Sequence, residues 1–117
     1  LAASDPGNAG VERDVSVSVE KLGDVLQAGG DLAGARKAYE EDLAIARRLA
    51  ASDPGNAGAE RDVMVSLAKL ASIPGSGVRW ADVAAKLEEM KAKGILAPPD
   101  EKLLDIVRRQ VAAEKAP

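Results

Sequence analysis

The chain has 117 residues, 46% of them apolar, with a net charge of −3 and only two aromatic residues, Tyr39 and Trp80. It contains no Cys and no His, which excludes a disulfide framework, thiolate metal sites and the commonest general base. No basic cluster or row of aromatics points to nucleic acid, and no apolar run approaches the roughly 20 residues of a membrane span.

The chain opens LAASDPGNAG, and the same ten residues return at Leu49. Residues 1–24 match residues 49–72 at 18 of 24 positions, and the register persists, with Gly29 on Gly77, Leu32 on Trp80 and Glu40-Glu41 on Glu88-Glu89. A period of 20–50 residues marks a stacked helical array. Residues 1–8 read as the end of a preceding repeat, 9–56 as one complete helix hairpin, 57–94 as a second, shortened one, and 95–117 as a closing helix.

In chain order, Val11, Val15, Val19, Leu22 and Leu26 are spaced by fours and threes, so a helix is expected over residues 9–28. Gly29-Gly30 ends it, and Asp31 can cap the next helix. That helix carries Leu32, Ala35, Tyr39, Leu43, Ala46 and Leu49 on one stripe, with Ala38 and Ile45 beside it. It stops at Ser52-Asp53-Pro54-Gly55-Asn56, where the proline disfavours helix before it and Asn56 offers the next cap. In the second unit Pro74 should shorten the first helix by about a turn. Trp80 is expected to place a large ring where the helices cross, and a helix of about 79–93 should stop at Gly94. A last helix over 99–115 begins at Pro99-Asp100-Glu101 and carries Leu103, Leu104, Val107 and Val111 as its buried stripe.

The segment KLGDVLQAGGDLAGARKAYEEDLAIARRLAASDPGN resembles a tetratricopeptide repeat. Leu22-Gly23 matches that family's first-helix Leu-Gly, Gly30-Asp31-Leu32 its turn, Ala35 and Tyr39 its second-helix packing positions, and Pro54 its closing proline. The common repeat is about 34 residues long, whereas the period here is 48. The surplus is close to two turns in each helix at 3.6 residues per turn, as in the long-helix repeats of kinesin light chains and bacterial tandem-repeat proteins. The resemblance implies an all-α, right-handed α-solenoid of antiparallel helix hairpins, about five helices in all, with a C-terminal capping helix. It also implies the C-terminal end of a longer array.

Several patterns admit a chemical reading and are better explained otherwise. Gly29-Gly30 and Pro74-Gly75-Ser76-Gly77 lack the following Lys-Ser/Thr and the preceding strand of a phosphate loop. Glu40-Glu41-Asp42 and Glu88-Glu89 diverge around a helix and read as a solvated, ion-paired face. No catalytic residue, metal ligand or cofactor is expected, and the chain is not expected to be an enzyme. The resemblance instead places a ligand groove on the exposed stripe of each first helix, at Val17, Glu20, Asp24 and Gln27 and at Val65, Ala68, Lys69 and Ser72. Glu20 and Asp24 would make that groove acidic and suited to a basic or neutral segment. The expected role is a protein–protein interaction scaffold, cytoplasmic, with a protein or peptide partner. The alternatives are self-association through an uncapped N-terminal face, simple array termination, or the sensor arm of a larger signalling protein.

Overall fold

The computed structural model describes residues 9–115, so the expected repeat remnant at Leu1–Asn8 lies outside the described residues. Those residues form five helices and no strand: α1 (Ala9–Ala28), α2 (Leu32–Ser52), α3 (Ala57–Ala71), α4 (Trp80–Ala92) and α5 (Pro98–Lys115). None is long and apolar enough to cross a membrane.

Local chemistry sets the boundaries. α1 stops where Gly30 takes φ +87°, a left-handed conformation that glycine adopts without steric cost. Asp31 then caps α2, its carboxylate accepting from the Gly34 N–H at 2.8 Å. Asn56 does the same for α3 through the Ala59 N–H at 3.0 Å. α3 has 15 residues where α1 has 20, because Pro74 follows and Ser76 folds back to donate to the Leu70 carbonyl at 2.6 Å. Asp82 accepts from the Arg79 N–H at 2.9 Å, fixing the start of α4.

Each helix packs on the next in chain order. The core is drawn from Ala35, Tyr39, Leu43 and Ala46 of α2, Val63, Met64, Leu67 and Leu70 of α3, Val83, Leu87 and Met90 of α4, and Leu104 and Val107 of α5. Each fully buried Leu or Met among them contributes roughly 1.5–3 kcal/mol. The expected stripe of α5 is half right in depth, with Leu104 and Val107 buried and Leu103 and Val111 half-buried. One link occurs twice: Arg13 of α1 pairs with Asp62 of α3 at 3.1 Å, and Arg61 of α3 pairs with Asp100 of α5 at 2.8 Å.

Along the apolar stripe of α1, Val11, Val15 and Leu22 are exposed and Val19 and Leu26 half-buried, and only Ser16 and Gly23 of that helix are buried. No described element covers that side. Leu32 and Trp80 both open a second helix, in different surroundings. Leu32 is exposed, whereas Trp80 is half-buried beside α5, its backbone N–H donating to Glu114 at 3.1 Å. Finally, Asp42 leaves the solvated face expected of Glu40-Glu41-Asp42. It is 3% exposed between three helices and accepts from Ser16 of α1 and, at 2.9 Å, from Ser66 of α3. α2 has a neighbour on both sides, so a residue pointing between them is enclosed whatever its charge.

Candidate functional site

Asp24 and Gln27 of α1, Met64, Val65, Ala68 and Lys69 of α3, Ser72 at its C-cap, and Leu103 of α5 line one shallow depression of about 350 Å³. Six of the eight residues expected on the groove are therefore brought together. Glu20 joins through Lys69, whose Nζ lies 3.2 Å from its Oε2. Val17 is half-buried and lies outside that lining.

The floor of the groove is a polar network built by both units. Lys69 Nζ donates to Asp24 Oδ1 at 2.7 Å and Oδ2 at 2.9 Å. The Tyr39 hydroxyl donates to Asp24 Oδ1 at 2.5 Å and lies 3.1 Å from Gln27 Oε1. One hydroxyl proton cannot serve two acceptors, and the charged, nearer Asp24 takes it; a Gln27 amide turned over would donate to the phenol oxygen. The Lys69 ammonium also lies 5.8 Å from the centre of the Tyr39 ring, a cation–π contact.

The network governs ionisation. Burial alone would raise the Asp24 pKa, but the hydrogen bonds from Lys69 and Tyr39 hold it below the ordinary carboxylate value. Burial would lower that of Lys69, and the bonds to Asp24 and Glu20 reverse this and raise it. Burial and the Asp24 carboxylate together push the Tyr39 phenol well above its usual range. All three therefore keep one ionisation state near neutral pH: Asp24 anionic, Lys69 cationic, Tyr39 a neutral donor. Lys69 stands between Glu20 and Asp24 and cancels one of their two charges, which leaves the groove one net negative charge from these three residues.

The network holds its members in position. No buried side-chain polar atom among the described residues lacks a hydrogen-bond partner. The Gly30 N–H is committed to the Gln27 carbonyl at 3.0 Å, and Ser76 Oγ accepts from the Val78 N–H at 3.2 Å. Both loops thus spend these groups on ending helices. A larger depression of about 610 Å³ lies among α2, α3 and α4, where the buried Glu60 is paired with the half-buried Lys86.

Met64 and Leu103 line the groove, and the fully buried Tyr39 supports it through Asp24, without any of the three having been assigned to it. For Tyr39 a signal existed. The 48-residue offset sets Gly23 and Tyr39 of the first unit against Ala71 and Leu87 of the second, which marks 23 and 39 as positions that trade volume. Leu103 had no such signal, because it enters from the closing helix and has no repeat counterpart. No family model, no curated protein and no solved structure matches the chain.

Proposed function

We propose that the chain is a protein-interaction module of the tetratricopeptide kind, a right-handed solenoid of antiparallel helix pairs closed by α5. In this reading it acts as a scaffold rather than an enzyme, and it holds an extended or helical peptide segment in the α1–α3 groove. One observation carries the reading. Asp24, Lys69, Tyr39 and Gln27 form a satisfied network across two successive units, so the groove is fixed before any ligand arrives. Preorganisation of that sort lowers the cost of binding.

The wall chemistry selects the ligand. Val65, Ala68, Met64 and Leu103 supply apolar surface beside the paired charges, and one surplus carboxylate disfavours acidic segments. A neutral segment with a small or medium apolar anchor fits best. Peptides selected from a displayed library against the chain test this by fluorescence anisotropy. Ala68→Arg fills the groove and should weaken the selected peptides by about tenfold or more, the scale of a disrupted hot spot. Lys37→Glu, an exposed change on α2, should leave them unaffected. A library without binders, or peptides indifferent to Ala68→Arg, would refute the groove as the binding surface.

A further inference from the structure

The exposed apolar residues of α1 have less accessible counterparts 48 residues on. Val15 is 45% exposed and Val63 5%, Leu22 53% and Leu70 1%, Val25 69% and Ile73 3%. The cover on the second set is α2, whose Asp42 accepts from Ser66 at 2.9 Å and whose Arg36 donates to the Gly75 carbonyl at 3.0 Å.

The polar residues bordering the stripe follow the same rule. Asp62 is held by Arg13, Ser66 by Asp42, and Lys69 by Asp24 and Glu20. All four partners come from the first unit. The counterparts of the held residues are Asp14, Ser18 and Lys21, which stand at the same offsets on α1 and are exposed. The first unit therefore presents on one side an arginine and three carboxylates, and on the other side the groups that such residues bind.

We infer that the open side of α1 docks a helix pair bearing the first unit's own code, which is a matter separate from the peptide groove. Its second helix lays the counterpart of the α2 face over Val15 and Leu22 and sets a carboxylate on Ser18. Its first helix brings an arginine to Asp14 and a carboxylate to Lys21. A second copy of the chain is a poor source, since its Arg13, Asp42 and Asp24 are already engaged by its own α3. The sequence also carries the joint that such a pair requires, because residues 1–10 repeat residues 49–58, the segment leading from α2 into α3.

The test is a chain with Leu1–Arg48 duplicated ahead of Leu1, which reproduces the Arg48–Leu49 junction. The protein has no Cys, so Val15→Cys in the second copy is the only thiol, and its alkylation rate reads the cover directly. That rate should fall about tenfold or more relative to Val15→Cys in the 117-residue chain, as expected when a side chain reacts only through local opening. Lys21→Glu beside it, facing the added Glu20 and Asp24, should return most of the reactivity, and should change nothing in the shorter chain. As a readout free of the thiol, Val15→Asp should lower the melting temperature of the extended chain and not that of the 117-residue chain. Equal alkylation in the two chains, whether the added pair folds elsewhere or not at all, overturns the inference. So does alkylation in the shorter chain that slows as its concentration rises, because a second copy then occupies the face.

Discussion

Tyr39 of α2 lies so close over Gly23 of α1 that a Cβ at position 23 would come within 2.5 Å of the ring's Cε1. The ring cannot swing away cheaply, since its hydroxyl is tied to Asp24. The second unit places Ala71 and Leu87 at the same offsets, a larger residue on one helix matched by a smaller one on the other.

Gly23→Ala should therefore destabilise the protein despite its better helix propensity. Overpacking costs about 1–3 kcal/mol, against about 1 kcal/mol returned by replacing glycine inside a helix. Combining it with Tyr39→Leu copies the second unit and should recover part of the loss. Urea unfolding of the single and double variants measures both, and the double variant should be the more stable of the two.

Asp42 should respond to acid in the opposite sense to an ordinary paired carboxylate. Burial raises its pKa in the folded chain, against the hydrogen bonds from Ser16 and Ser66. A folded pKa above the unfolded one means that ionised Asp42 opposes folding at neutral pH. That opposition is relieved as pH falls through the folded value. Asp42→Asn should thus stabilise the chain at neutral pH and lose its advantage in acid. Asp42→Ala instead leaves Ser16 without its acceptor and should cost about 1–3 kcal/mol. Urea titrations at neutral and acid pH separate the two outcomes.

Asp24 runs the other way. Its folded pKa lies below the ordinary value, so its stabilisation is complete above the unfolded pKa and is lost as pH falls through the folded one. Asp24→Asn should weaken the protein at neutral pH and converge on the parent in strong acid. Because the Lys69 and Asp24 side chains are partly exposed, a double-mutant cycle with Lys69→Gln should give a coupling of no more than about 1 kcal/mol. Added salt should shrink it further.

Periodicity, caps and breakers made the helices legible. Asp31, Asn56, Pro74 and Gly94 each act where their local chemistry places them, because a cap or a left-handed glycine depends on its immediate neighbours. The grouping of Asp24, Gln27, Val65, Ala68, Lys69 and Ser72 was legible through the resemblance, which points to the exposed stripe of each first helix, with the 48-residue offset setting the register. The depth of each residue was not. Glu40, Glu41 and Asp42 are alike in sequence, yet Glu40 forms an exposed pair with Arg36 while Asp42 is enclosed. That difference is set by α1 and α3 on either side of α2, a long-range fact that no local pattern encodes. Glu60 illustrates the same limit, a buried carboxylate paired with the half-buried Lys86 26 residues away.

The whole account stands on the equivalence of positions one period apart, with α2 covering in the second unit what stays open in the first. Thiol reactivity of Val15→Cys and Val63→Cys, compared in the 117-residue chain, measures this directly. Position 15 should react at close to the rate of the unfolded chain, and position 63 about a hundredfold more slowly, in line with a site that opens only with substantial unfolding. Equal rates at the two positions would contradict the packing of α2 against α3, and with it the groove that α1 and α3 share.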